Sequence, residues 1–121
     1  MYNIILVALG GVVGSLSRYF ISKMFSHLII FNIPIVIILI NIIGSFLMGI
    51  VFQYSQENAN ENIKHFVSLG VLGSFTTFST FSLEAYNLFT QDKLTEAIIY
   101  ILASVVLSLL ALYLGIILIK K

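Results

Sequence analysis

The sequence predicts an all-α integral membrane protein of four transmembrane helices. Hydrophobic residues make up 60% of the chain and charged residues only 9%, far from the balance of a water-soluble domain. A bilayer core about 30 Å thick takes roughly 20 apolar residues per helix, and four such stretches nearly fill the 121 residues. The polar segments between them are too short to hold a separate domain, so residues 1–121 form a single transmembrane unit.

The first span runs from about Ile4 to Met24. Only Met1, Tyr2 and Asn3 precede it, with no basic segment and no cleavage site, so the N-terminus is expected to be retained. The second covers residues 33–54, with Asn32 placed to cap it and Pro34 in its first turn. The third covers residues 66–89 and the fourth residues 94–119, leaving 55–64 as the long polar loop. With no cysteine, neither a disulfide nor a thiolate metal site is available. Nothing in this charge distribution suits a nucleic-acid partner.

Four spans place both termini and the 55–64 loop on one side. That side carries Lys64, Lys120 and Lys121, and the other Arg18, Lys23 and Lys93. Orientation follows the excess of Lys and Arg on the cytoplasmic side, and three against three gives insertion almost no instruction. Either a single residue or the unprocessed N-terminus breaks the tie, or copies insert both ways and pair antiparallel. Overlapping small residues, Gly10, Gly11, Gly14 and Ser15 on the first span and Gly44, Ser45 and Gly49 on the second, mark places of close helix approach.

Polar groups inside apolar segments then point to function. Arg18 and Glu84 lie toward the same side, each several residues before its span ends. A charge at the bilayer centre costs about 2.5–3.5 kcal/mol on insertion scales, so the two either reach headgroups or share a water-filled vestibule, where they can pair. Asn41 stands among isoleucines and needs a partner from another helix, a water or an ion. Tyr100, Ser104 and Ser108 recur every fourth residue as a hydroxyl stripe on the fourth span; serines so placed bond their own i−4 carbonyls or form a polar track. From Ser74 to Ser82 there are six hydroxyls in nine residues, with phenylalanine at every third position. Preceded by Gly70 and Gly73, this run either forms a phenylalanine-rich packing seam or, as expected here, breaks the third helix near its middle, a feature of transport proteins. Hydroxyl and amide donors with electropositive phenylalanine edges suit a small anion; carbonyls freed at a break suit a cation.

Three motifs, Gly10-Gly11-x-x-Gly14-Ser15-x-x-Arg18-Tyr19, Asn41-x-x-Gly44-Ser45-Phe46-x-x-Gly49, and Gly70-x-x-Gly73-Ser74-Phe75-Thr76-Thr77-Phe78-Ser79-Thr80-Phe81-Ser82-x-Glu84, together resemble the signatures of the small fluoride channel family, Fluc or CrcB. Ser15 and Ser74 depart mildly from that pattern, where alanine and glycine are common. The resemblance implies a fluoride-selective channel in a prokaryotic cell membrane, passively exporting fluoride, conferring resistance and needing no catalysis. It implies an antiparallel, dual-topology homodimer; the sequence leaves open whether the partner is another copy or a paralogue of opposite orientation. It also implies a structural sodium ion at the dimer centre, held by the backbone carbonyls of Gly73 and Thr76. Phe78 and Phe81 would line the fluoride pathway with Asn41 as an amide donor, Tyr100, Ser104 and Ser108 would form its polar track, and Arg18 and Glu84 would stand at the vestibule or pore mouth. Small multidrug transporters share the four spans, but their mechanism needs an acid in the first span, which this chain lacks. A scaffold role would leave the hydroxyl and phenylalanine run unexplained.

Overall fold

A computed structural model describes residues 1–121. Its helices are α1 (Tyr2–Met24), α2 (Val36–Asn58), the short α3 (Glu61–Ile63), α4 (Gly73–Phe75), α5 (Phe78–Thr90) and α6 (Leu94–Ile119). A nine-residue π-helical segment, Lys64–Leu72, joins α3 to α4, so the third span-length unit extends from Glu61 to Thr90. Between α4 and α5, Thr76 (φ −79°, ψ 158°) and Thr77 (φ −151°, ψ 126°) are extended. Four helical units are long and apolar enough to cross a membrane. Only 21 of 121 residues are buried, and the exposed surface is rich in Leu, Ile, Val, Phe and Tyr; such a perimeter is solvated by lipid rather than water. The chain is a multi-pass membrane protein.

The first connection differs from expectation. Asn32 does not cap the second helix, and Pro34 does not lie in its first turn. Ile29–Ile30 (β1) pairs antiparallel with Ile33–Pro34 (β2), and the two residues between them, Phe31 (φ 52°) and Asn32 (φ 63°), both have left-handed backbone. Two consecutive positive φ values define the tight turn whose twist matches a two-residue hairpin, and asparagine tolerates that conformation better than most residues. The second helix therefore starts at Val36, with Ile35 as its N-cap.

The polar stretch 55–64 is also not a loop. α2 continues to Asn58, and the reversal needs only Ala59 (φ 48°) and Asn60. Asn60 Oδ1 accepts from the Ile63 N–H at 3.1 Å, a side-chain N-cap that starts the next helix at once. Hydrophilic residues here lie on exposed helix ends.

Small residues are consumed in pairing helices within the chain. α1 lies against the third unit: a Cβ built on Gly10 would meet Gly70 Cα at 2.8 Å, and one on Gly14 would overlap the Val71 carbonyl. α2 lies against α6 in the same manner, with Gly49 facing the Leu112 carbonyl and Gly115 facing the Phe46 carbonyl. The larger apolar core gathers at the hairpin end, where Ile37, Ile40, Leu88, Ala97 and Tyr100 pack together. One end of the bundle is thus held by side-chain packing, the other mainly by backbone contact at glycines.

Candidate functional site

The extended pair Thr76–Thr77 sets the geometry of the site. In a continuous helix the Thr77 N–H would close on the Gly73 carbonyl and the Thr80 N–H on the Thr76 carbonyl. Here Thr77 N–H donates to Asn41 Oδ1 (2.9 Å), while Thr80 N–H donates to Thr77 Oγ1 (3.2 Å), which caps α5. Gly73 and Thr76 carbonyls are thereby released from their helical partners. Arg18 Nη1 donates to the Thr76 carbonyl at 3.3 Å, and Asn41 Nδ2 donates to the Thr77 carbonyl at 3.0 Å.

Beside this pair lies a cavity of about 310 Å³ walled by Asn41, Ser45, Thr76, Thr77, Phe78, Phe81, Ser104 and Ser108, among others. It collects most of the predicted pathway residues from α2, α5 and α6. The Ser104 and Ser108 hydroxyls are buried without a hydrogen-bond partner, so they do not bond the i−4 carbonyls; buried polar atoms of this kind are rare. The hydroxyls of the Ser74–Ser82 run are mostly engaged locally instead. Thr76 Oγ1 donates to the Leu72 carbonyl (3.0 Å) and Ser82 Oγ to the Phe78 carbonyl (2.9 Å), and Thr77 Oγ1 donates to Thr80 Oγ1 (3.3 Å).

Phe81 is buried, whereas Phe78 lines the same cavity yet is 76% exposed. The cavity is therefore open on the Phe78 side. The two rings lie 5.3 Å apart at 45°, and Phe81 stacks on Tyr100 at 5.5 Å and 13°. Tyr100 is fully buried and donates its hydroxyl proton to Glu84 Oε2 at 2.5 Å.

Arg18 and Glu84 line a second cavity of about 380 Å³, with Ser15, Ser22 and Thr80. They share it without forming an ion pair, since Arg18 is turned to the Thr76 carbonyl and Glu84 to Tyr100. Phe81 in the first cavity, Tyr100, and Glu84 in the second form one continuous contact series. Gly73 is exposed beside the site. Ser45 and Thr77 also line the first cavity and were not singled out as pathway residues from the sequence. Ser45 stands one turn after Asn41 and so on the same helix face, a signal that could have found it.

Hydroxyls and an amide gathered along a phenylalanine-walled cleft, within helices sheathed in lipid-facing side chains, describe a membrane protein built to hold or pass a small polar species. Comparison with known proteins narrows this. Residues 5–116 match the family described as CrcB-like protein, Camphor Resistance (CrcB), and the chain belongs to that family. It is 42% identical over 117 residues to a "Fluoride-specific ion channel FluC" of Ruminiclostridium cellulolyticum, covering 95% of this chain and 90% of that protein. A protein of the same name from Agrobacterium fabrum is 43% identical, at 95% and 94% coverage. In Methanosarcina acetivorans a "Fluoride-specific ion channel FluC 1" is 37% identical, at 95% and 88%.

Proposed function

We propose that this protein is a fluoride-selective channel of the prokaryotic plasma membrane, passively exporting fluoride from the cytoplasm and so conferring fluoride resistance. The observation that carries the proposal is the pair of unpartnered buried hydroxyls, Ser104 and Ser108, facing Phe78, Phe81 and Asn41 across one cavity. Fluoride is a small anion that holds water tightly, and it leaves water only where donors take the place of its hydration shell. The serine hydroxyls and the remaining Asn41 N–H supply such donors, and phenylalanine ring edges carry the positive end of the quadrupole. The route continues past Tyr100 toward the cavity of Arg18 and Glu84. Undissociated hydrogen fluoride enters through lipid and ionises inside; a negative interior then drives the anion out. No bond to carbon or phosphorus is made or broken, and no catalytic residue is required.

The active form in this proposal is an antiparallel dual-topology homodimer with the third helix broken at Thr76–Thr77. Three features support it. Both residues have extended dihedrals, the loop charges are balanced three against three, and Phe78 on the open wall is 76% exposed. A second copy would close that wall. The released Gly73 and Thr76 carbonyls are hard oxygen donors of the kind that suit a sodium ion, and when bound the ion would supply fixed positive charge at the break. In this structure Arg18 donates to the Thr76 carbonyl, so a sodium ion there would share that oxygen with a like charge and rest mainly on Gly73.

Purified protein in liposomes loaded with fluoride tests the function directly. Fluoride should leave and chloride should not; equal flux of the two, or none of either, would overturn the proposal.

A further inference from the structure

We infer that Asn41 and Arg18 are positioning residues, forming a two-sided clamp that holds the Thr76–Thr77 segment extended and thereby aims Phe78 and Phe81. The functional part of this inference rests on the channel proposal; the clamp itself rests on hydrogen bonds.

An extended pair inside a membrane helix leaves backbone groups without their ladder partners, and each group unsatisfied in hydrocarbon is costly. Asn41 satisfies two of them on one residue, accepting from the Thr77 N–H at 2.9 Å and donating to the Thr77 carbonyl at 3.0 Å. This reciprocal pair matches the amide's acceptor and donor to a single residue's carbonyl and N–H, which leaves one Asn41 N–H free. Arg18 satisfies a third group from the opposite helix, donating to the Thr76 carbonyl at 3.3 Å. Thr77 itself is 7% exposed, so water has little access to replace either of its bonds to Asn41.

Both clamp residues lie one helical turn from a glycine that lets their helix approach. A Cβ on Gly44, three residues after Asn41, would overlap Thr76 Cγ2. One on Gly14, four residues before Arg18, would overlap the Val71 carbonyl and meet Phe75 N at 3.1 Å. The short asparagine side chain reaches the Thr77 backbone because α2 comes this close. Arg18 shares its cavity with Glu84 yet bonds the carbonyl, which assigns it to the backbone rather than to an ion pair.

Backbone hydrogen exchange across residues 73–80, measured on the full chain in lipid nanodiscs beside fluoride flux from liposomes, tests the clamp. Asn41→Ala removes the acceptor of the Thr77 N–H and should speed its exchange ~10-fold or more, the scale set by one hydrogen bond. Asn41→Asp keeps that acceptor but loses the donor to the Thr77 carbonyl, and should retain part of the protection. Arg18→Ala should speed exchange just after Thr76 and lower the maximal fluoride flux by a factor that higher fluoride does not restore; Arg18→Lys should recover part of both. Equal exchange in the Asn41→Ala and Asn41→Asp proteins would overturn the clamp. So would an Arg18→Ala protein with unchanged exchange and a flux loss reversed by raising fluoride, because Arg18 would then act as an anion-attracting charge. Wild-type protein with a protected Thr77 amide but no fluoride flux would instead end the channel proposal and leave the clamp standing.

Discussion

Replacing Gly14 with alanine drives a methyl group into the backbone of the third unit. It would overlap the Val71 carbonyl oxygen, reach the carbonyl carbon at 2.9 Å and meet Phe75 N at 3.1 Å. All three atoms belong to helix backbone and cannot rotate aside, so α1 must move away as a body. Overpacking of this kind costs about 1–3 kcal/mol, of which alanine's better helix propensity returns at most about 1 kcal/mol. Gly11 provides an internal control three residues away: its Cβ would meet only Ser74 Oγ, at 3.4 Å, an ordinary contact. Gly11→Ala should be neutral or more stable by up to about 1 kcal/mol, and Gly14→Ala less stable by about 2 kcal/mol, roughly a 30-fold change in the folded ratio. Reversible unfolding in mixed micelles, followed by circular dichroism, reads the difference. The Arg18 bond to Thr76 is already 3.3 Å long, near the limit for such a contact, so the displaced α1 should also lose fluoride flux. Equal stability of the two variants, or a Gly14→Ala protein as stable as wild type, would refute the close-approach argument.

Phe81→Ile keeps apolar bulk but removes the ring edge and the Tyr100 stack; fluoride flux in liposomes should fall at least tenfold while the protein still elutes as the native species, and unchanged flux would remove Phe81 from the pathway. Tyr100→Phe deletes the one hydroxyl bound to Glu84, at a cost of about 1–3 kcal/mol, to be seen as a lower unfolding midpoint; an unshifted midpoint would show that Glu84 finds another partner. Because the chain has no native cysteine, a single cysteine appended after Lys121 can report orientation: membrane-impermeant reagent should label about half the copies from each face if topology is dual, whereas labelling from one face alone would contradict it.

Hydropathy made the four span-length units legible because each has its apolar residues contiguous in sequence, and small residues at four-residue spacing pointed to the seams at Gly10, Gly14 and Gly49. Turns were harder. Residues 55–64 read as a loop by polarity, but Asn60 caps a helix within two residues of the preceding one, and capping depends on one side chain rather than on average composition. The position of the extended pair was illegible for a related reason. Ser74, Thr76, Thr77 and Ser79 can all cap a helix, and only the arrival of Asn41 from α2 and Arg18 from α1 singles out Thr76–Thr77. Asn41 was readable as an amide in need of partners, though not which atoms would answer it. Likewise, Arg18 and Glu84 read as neighbours toward one side and do line one cavity, but their separate hydrogen bonds depend on contacts 58 and 16 residues away in sequence.

The glycine seams have a thermodynamic corollary for assembly. Since most of the close-approach glycines are engaged inside the chain, an isolated copy offers the bilayer mostly branched and aromatic side chains, for which acyl tails are as good a solvent as protein. Such a surface has little reason to prefer a neighbour over lipid. The serine-lined cleft is different: the Ser104 and Ser108 hydroxyls have no partner within the chain, and a group that reached and bonded them would gain free energy that acyl tails cannot supply. In the proposed dimer, recognition between copies would then be encoded by the groups proposed to handle the permeant ion, and a substitution that made the cleft greasy would weaken assembly and conduction together.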